Sequence, residues 1–276
     1  MTKTVLITGC SSGFGESAAR LFANNGWNVV ATMRSPSDGF REHSNVLVTK
    51  LDVQDTETIK DAVEKGIARF GKIDVVVNNA GYGLFGVFEG TSRQKVQEQF
   101  DVNVFGVMDV VRETLPHFRA NRSGLYINVS SGAGVFGLPM ISLYNASKFA
   151  LEGFSESLSY ELAALGIGVK IVEPGGVLET KFGERSGQEL SSTATPSDYD
   201  PFIAGAAAVF DQLRQNRGLA TSEQVANVIY NATTDGTDKL RYVATEDIKP
   251  LVEKRRGSSE EEYMAFMRER MMPKLG

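Results

Sequence analysis

The chain has 276 residues, with 29 Lys+Arg against 34 Asp+Glu and a formal net charge of −5, an acidity that argues against a protein built to coat nucleic acid. One cysteine, Cys10, excludes an intrachain disulfide and suits a reducing compartment. With only two histidines beside it, a His/Cys zinc site is not expected. Glycine is the unusual feature, at 28 residues against 8 prolines, so where the glycines fall matters.

The first residues, MTKTVLITG, lack the long apolar stretch of a signal peptide, and no apolar run approaches the ~20 residues of a membrane span. A soluble cytoplasmic protein is expected. Short β-branched runs at 4–8, 28–32, 46–51, 73–78, 124–130, 169–173 and 240–244 predict strands, and longer helical patterns separate most of them. Strands alternating with helices imply a parallel sheet covered on both faces, hence an α/β fold in three layers. No repeat or linker divides the chain, so a single domain over 1–276 is expected. The loose stretch from Phe182 reads as an insertion, and residues 246–276 as a C-terminal extension.

After the first strand comes Thr8-Gly9-Cys10-Ser11-Ser12-Gly13-Phe14-Gly15, followed by a helical pattern from Glu16 to Asn25. A glycine turn between strand and helix lets backbone approach a pyrophosphate, and the helix start offers unpaired N–H groups. A tight turn with no ligand is the alternative. The second strand ends at Thr32-Met33-Arg34, with an arginine where an acid would bind an adenosine ribose hydroxyl. Arg34 suits a 2′-phosphate and therefore NADP(H), with Ser11 and Ser12 as further donors; a solvated surface arginine is the bland alternative.

Tyr144 and Lys148 form Tyr-x-x-x-Lys at the start of a helical pattern over 143–165, which puts both on one face. A nearby ammonium is expected to lower the phenol pKa and let it exchange protons with a carbonyl or alcohol oxygen. Ser131 follows the fifth strand, Asn78-Asn79-Ala80-Gly81 the fourth and Pro174-Gly175-Gly176 the sixth, mostly at the strand ends where open α/β sheets bind ligands. Asn103 lies in a helical stretch, and Pro116 is expected to kink or end the helix running from about Asp101.

TGCSSGFG, NNAG, the Asn–Ser–Tyr–Lys set and PGG together resemble the short-chain dehydrogenases/reductases, in the branch with TGxxxGxG spacing. The resemblance runs from about Lys3 to Ala244. YNASKFALEGFSESLSYEL and ATMR look most like the hydroxysteroid and retinol dehydrogenase side. The resemblance implies a Rossmann-type doubly wound sheet and an NADP(H)-dependent hydride transfer. It makes Tyr144 the general acid or base and Lys148 the partner that binds the nicotinamide ribose and lowers the tyrosine pKa. Ser131 would hold the substrate oxygen, and Asn103 would support a water relay. Gly9, Gly13 and Gly15 would frame the pyrophosphate, with Ser11, Ser12 and Phe14 beside them. Asp52 and Val53 would flank the adenine; Asn79, Ala80 and Gly81 would line the cofactor cleft. Pro174, Gly175, Val177 and Thr180 would border the nicotinamide or a phosphate. One departure is Ser12, where some NADP-using members carry a basic residue, so the cofactor reading rests on Arg34.

Three segments are expected to border an apolar carbonyl or alcohol substrate. These are Tyr82–Phe88, the loop after Ser131 with Val135, Phe136, Leu138 and Met140, and a lid over residues 182–215. Near the end, Ser258 and Ser259 precede Glu261 and Glu262 in a doubled capping-box pattern, and Tyr263, Met264, Phe266, Met267 and Met271 form a stripe. A helix packed on its own domain or a neighbouring subunit is preferred over one capping a cleft. His43 and His117 read as structural, Cys10 and Trp27 as packing residues. A homodimer or homotetramer through the helices of Asn103 and Tyr144 is expected by analogy. The competing readings are an NADP(H)-binding redox sensor without turnover, a sugar-nucleotide epimerase, whose TGxxGxxG is absent, and a methyltransferase, which has no need of Tyr144 and Lys148.

Overall fold

The computed structural model describes residues 2–177, 195–215 and 220–273. Seven parallel strands form one sheet in the order β3-β2-β1-β4-β5-β6-β7. The strands are β1 (Thr4–Ile7), β2 (Asn28–Met33), β3 (Val46–Lys50), β4 (Val75–Asn78), β5 (Gly124–Val129), β6 (Ile167–Glu173) and β7 (Arg241–Val243). Every sequence-predicted strand is present, with ends shifted by one or two residues. Thr8 and Ser130 lie just past the hydrogen-bonded register and open the loops that build the site.

The helices are α1 (Gly13–Asn24), α2 (Thr56–Phe70), α3 (Arg93–Phe100), α4 (Gly106–Asn121), α5 (Ser142–Ala163), α6 (Asp200–Gln215), α7 (Ser222–Thr234), α8 (Lys249–Gly257) and α9 (Glu260–Met271). They cover both sheet faces because side chains alternate along each strand. Val5 and Ile7 of β1, with Val75 and Val77 of β4, face Ala18, Ala19 and Phe22 of α1 and Val225 and Ile229 of α7. Leu6 and Val76 face the other way, onto Ile59 and Val63 of α2, Val110 and Phe118 of α4 and Leu158 of α5. Burial on both faces explains the continuous apolar runs of these strands.

Three local expectations are corrected. Helix α1 begins at Gly13, not Glu16, so Gly13, Phe14 and Gly15 form its first turn. Pro116 does not end its helix: it lies inside α4, which continues to Asn121. Only one of the two C-terminal serines caps α9: Ser259 Oγ accepts from the Glu262 N–H at 3.3 Å. Ser258 Oγ instead donates to the Lys254 carbonyl at 2.7 Å. The stripe on α9 packs within the chain, where Tyr263, Met267 and Met271 meet Val135, Phe136, Ile248, Leu251 and Val252. His117 is structural as expected, its Nε2 accepting from the Ile73 N–H at 3.1 Å. Among the described residues no helix is long and apolar enough to cross a membrane.

Phe22 is fully buried and stacks edge-on with Trp27 at 5.1 Å and tilted with Tyr230 at 5.0 Å, locking α1 and α7 together. Phe22→Ala is expected to lower unfolding stability by roughly 3–5 kcal/mol in a urea titration.

Candidate active site

The strand order reverses between β1 and β4: the chain leaves β1 toward β2 and β3, then returns to place β4 on its other side. A crevice at the carboxyl ends of two such strands is where open α/β sheets take ligands. Two loops meet there. Thr8 Oγ1 accepts from the N–H groups of Asn79 and Ala80, both at 3.0 Å. Asn79 Nδ2 donates to the carbonyls of Thr8 at 2.9 Å and Gly9 at 3.2 Å. Asn79 therefore props the glycine turn from below, and its amide is spent on backbone.

Gly9 and Gly13 adopt positive φ, 75° and 60°, which a side chain would strain. At Gly15 the requirement is space: a Cβ there would fall 2.3 Å from the Gly9 carbonyl oxygen. Ser12 is the N-cap of α1, yet its hydroxyl caps nothing. The first-turn amides of α1 thus have no side-chain partner at the N-cap and sit at the positive end of the helix dipole. The Cys10 N–H donates to the Thr32 carbonyl at 2.9 Å, which holds the turn against the end of β2. Arg34, one residue past β2, is exposed and makes no ion pair among the described residues. Cys10 Sγ donates to the Ile7 carbonyl, and burial pushes its thiol up to about 12, so it is a packing residue and not a nucleophile.

Further along the same edge, Asp52 and Val53 follow β3. The Asp52 N–H donates to Thr58 Oγ1 at 2.9 Å, and Val53 packs so closely on Gly106 that a Cβ there would lie 2.7 Å from it. Gly81 stands beside the catalytic candidates, since its missing Cβ would be 3.2 Å from Asn103 Oδ1 and 3.7 Å from Lys148 Nζ.

Tyr144 and Lys148 lie in the first two turns of α5 and are buried, at 8% and 6% exposure. Tyr144 shares a side-chain hydrogen bond with Ser131. Lys148 Nζ is 5.8 Å from the centre of the Tyr144 ring and donates to the Val129 carbonyl at 2.9 Å. The expected lowering of the phenol pKa is not what the geometry produces. Burial dominates and pushes Tyr144 up to about 12, with the Ser131 hydrogen bond acting against it. Burial likewise pushes the Lys148 ammonium down to about 8, opposed by the charge of Glu152.

Asn103 sits in a π-helical turn, Asp101–Phe105, between α3 and α4. Its side chain is fully engaged: Oδ1 accepts from the Tyr82 N–H at 3.1 Å, and Nδ2 donates to the Tyr82 carbonyl at 2.8 Å and Ser147 Oγ at 3.1 Å. Ser147 Oγ in turn donates to the Tyr144 carbonyl at 2.8 Å, so Asn103 steadies the turn that carries Tyr144. Pro174 accepts from the Gly132 N–H at 2.8 Å, while Gly175 and Gly176 donate to Thr245 Oγ1 at 2.9 Å and Asp247 Oδ2 at 3.1 Å. Val177 bridges to Ala220. Thr180 and the lid from Phe182 to residue 194 lie outside the described residues.

The order and spacing of these loops decide the family. The family model for short chain dehydrogenases matches residues 3–191. This chain belongs to that family. Retinol dehydrogenase 8 of Bos taurus is 33% identical over 269 residues, covering 91% of this chain and 84% of that protein. A short-chain dehydrogenase from Streptomyces avermitilis superposes with a TM-score of 0.80 at 30% identity, covering 98% and 96% of the two chains. ElxO, solved with NADP bound, has a TM-score of 0.72 at 27% identity over 88% of this chain and 98% of its own. This short-chain dehydrogenase is accordingly an oxidoreductase with a Rossmann-like sheet.

Of the expected substrate-facing residues, Val135 and Phe136 belong instead to the core under α9. Phe85, Val87 and Met140 do converge, with Phe202, Ile203 and Phe210 of α6. Met140 takes a left-handed φ of 63°, and its carbonyl accepts from the Gly86 N–H at 2.7 Å, tying two of the three segments together.

Several positioning residues were not singled out from the sequence: Thr8, Asn145, Ser147, Thr245 and Asp247. Asn145 lies inside the Tyr-x-x-x-Lys interval and is buried. Its Nδ2 donates to the carbonyls of Ala133 at 2.7 Å and Phe136 at 2.8 Å, which fastens the Ser131 loop to α5 and sets the Ser131–Tyr144 distance. Polar residues flanking a candidate tyrosine were the available signal. Asn145→Ala strands two buried carbonyls and is expected to cost about 1–3 kcal/mol in denaturant unfolding.

Proposed function

We propose that this short-chain dehydrogenase transfers a hydride between NADP(H) and a carbonyl or secondary alcohol on an apolar substrate. The observation that carries the reading is the hydrogen-bonded Ser131–Tyr144 pair beside buried Lys148, at the same sheet edge as a glycine turn built for close approach. The turn fits a dinucleotide because Gly15 leaves no bulk over Gly9 and the Ser12 hydroxyl remains available at the start of α1. Gly9, Ser11, Ser12, Gly13, Phe14 and Gly15 would hold the pyrophosphate; Asp52, Val53, Asn79, Ala80 and Gly81 would flank the nucleotide, and Pro174, Gly175, Val177 and Thr180 its nicotinamide end. When bound, the nicotinamide supplies or accepts the hydride.

The chain's own groups orient the substrate and manage its proton. A phenol with a pKa of about 12 keeps its proton at neutral pH, the form that donates to a carbonyl oxygen becoming an alcohol. Ser131 gives a second hydrogen bond to the same oxygen and so stabilises developing negative charge. Lys148, its Nζ 5.8 Å from the ring centre, supplies positive charge that favours the phenolate needed in the oxidative direction. Asn103 holds the Tyr82 and Ser147 positions with its side chain, which leaves its main chain to support a water relay.

Arg34 favours NADP(H), since among the described residues it makes no ion pair and it stands at the end of β2 where a 2′-phosphate would lie. The apolar convergence of Phe85, Val87, Met140 and Phe202, beside a groove of about 550 Å³ that reaches Ser142, favours an apolar substrate. Retinol dehydrogenase 8, with an apolar alcohol in its name, supports the same reading. Exposed Phe105 and Phe149, beside α4 and on α5, support a homo-oligomer through those helices. A cytoplasmic enzyme fits the single buried cysteine.

Tyr144→Phe is expected to lower NADPH-dependent ketone reduction by about 10²–10⁴-fold while leaving NADPH binding intact, measured by turnover and by calorimetry. Equal inertness of wild type and variant across bulky apolar ketones and aldehydes would instead favour a cofactor-binding sensor. Alcohol oxidation, which needs the phenolate, is expected to go on rising with pH toward about 12, with carbonyl reduction showing no such gain. Arg34→Asp is expected to cut the NADPH/NADH preference by about tenfold or more, because the phosphate loses a charged partner. An unchanged ratio of the two kcat/KM values would reject Arg34 as selector.

A further inference from the structure

A buried group of charges stands behind the Ser131 loop and takes no direct part in the chemistry above. Glu152 follows Lys148 by one turn of α5, on the same face, and both are 6% exposed. Glu173 closes β6 and is fully buried. Arg241 of β7 joins the two acids, with Nε 2.9 Å from Glu152 Oε2 and 3.7 Å from Glu173 Oε1, and also pairs with the half-exposed Glu156. Arg256 of α8 pairs with Glu173 from the other side. Gly134 is where these parts meet: a Cβ there would lie 2.7 Å from Ser130 Oγ, 2.9 Å from Glu152 Cγ and 3.2 Å from the Lys148 carbonyl. Glu152 therefore sits against the backbone that carries Ser131 and against the turn that carries Lys148.

Arg241 is shared between the buried Glu152 and Glu173 and the half-exposed Glu156, and among the described residues one buried oxygen on each of Glu152 and Glu173 has no hydrogen-bond partner. Burial and the charge of Glu173 raise the Glu152 carboxyl, while the nearby Ser130 hydroxyl and Arg241 pull it down. A buried carboxylate with an unsatisfied oxygen is costly unless a further cation faces it. The remaining buried cation beside it is Lys148, which has a backbone carbonyl but no carboxylate within ion-pair distance among the described residues. Tyr144, with its ring beside Lys148 Nζ, is the other titratable group facing that ammonium.

We propose that Glu152 is a positioning residue for the reaction: held by Arg241 and set against Glu173, its carboxylate keeps Lys148 in the ammonium form. The charge on a side chain of α5 is thereby set by arginines from β7 and α8, near the end of the chain. The catalytic consequence rests on the role of Lys148 given above; the electrostatic link does not.

The test is a titration of Lys148 in protein carrying ¹³C at lysine Cε, its signal assigned by its loss in Lys148→Arg. In Glu152→Gln the Lys148 midpoint is expected to fall by about one pH unit or more, and in Glu152→Asp, which keeps the charge, to stay near wild type. Glu156→Gln, which touches the same arginine from the surface, is expected to leave it unmoved. The pH profile of alcohol oxidation should move to higher pH in Glu152→Gln, because a less charged lysine favours the phenolate less. An unchanged Lys148 midpoint in Glu152→Gln, or an equal shift in Glu156→Gln, overturns the assignment. If Glu152→Gln does not fold, Glu152→Gln with Arg241→Gln removes a cation with the acid, and the same fall or constancy of the midpoint decides. A wild type inert toward every carbonyl and alcohol would sink the proposed reaction while leaving the Lys148 titration to stand or fall alone.

Discussion

The seam between β1 and β4 organises this protein. One hydroxyl, Thr8 Oγ1, accepts two amides from the loop after β4, and one amide, Asn79 Nδ2, returns two hydrogen bonds to the loop after β1. These four bonds keep the glycine turn and the Asn79–Gly81 loop in register, with the Asn79 side chain lying between them. The apolar pairing of Val5 with Val75 and Ile7 with Val77 beneath them is buried, while the four bonds themselves are only partly buried. Gly15 then lies against Gly9, where a side chain would clash, and Gly81 beside Asn103 and Lys148.

A second layer of polar contacts fixes the chemistry to that seam. Asn103, Ser147 and Tyr144 form one chain of hydrogen bonds across the π-helical turn and α5; Asn145 ties α5 to the Ser131 loop. Pro174 ties that loop to β6, and Thr245 and Asp247 tie the glycines after β6 to the chain beyond β7. The Asn145, Thr245 and Asp247 links use side chains to satisfy backbone groups of the loops past the strand ends, while the Pro174 link joins two main-chain groups. The result is a rigid carboxyl edge assembled from segments over 230 residues apart in sequence, from Thr8 to Asp247.

Burial is the force that tunes the site. It raises Tyr144 and lowers Lys148, moving two groups that begin near the same pKa in opposite directions. A lysine beside a tyrosine does not by itself make a phenolate: desolvation of the phenol outweighs a cation held at the ring's side and turned toward the Val129 carbonyl. The acids and arginines packed behind α5 act on the same balance from within the fold.

The strands, their parallel order of use and the positions of the loops were legible in the sequence, because alternation of apolar runs and helices is a local signal with one stable packing. The placing of Gly9, Gly13, Gly15 and Ser131 past strand ends was legible too, and the pairing of Tyr144 with Lys148 was legible from their helical spacing. Other features depended on contacts between distant segments and had no local signature. Asn79 turned back onto the glycine turn, Asn145 became a clamp, and Phe136 went to the core beneath α9. The direction of the Tyr144 shift was of that kind: the spacing of Tyr144 and Lys148 specifies proximity, and only the three-dimensional packing around them decides how much water each has lost.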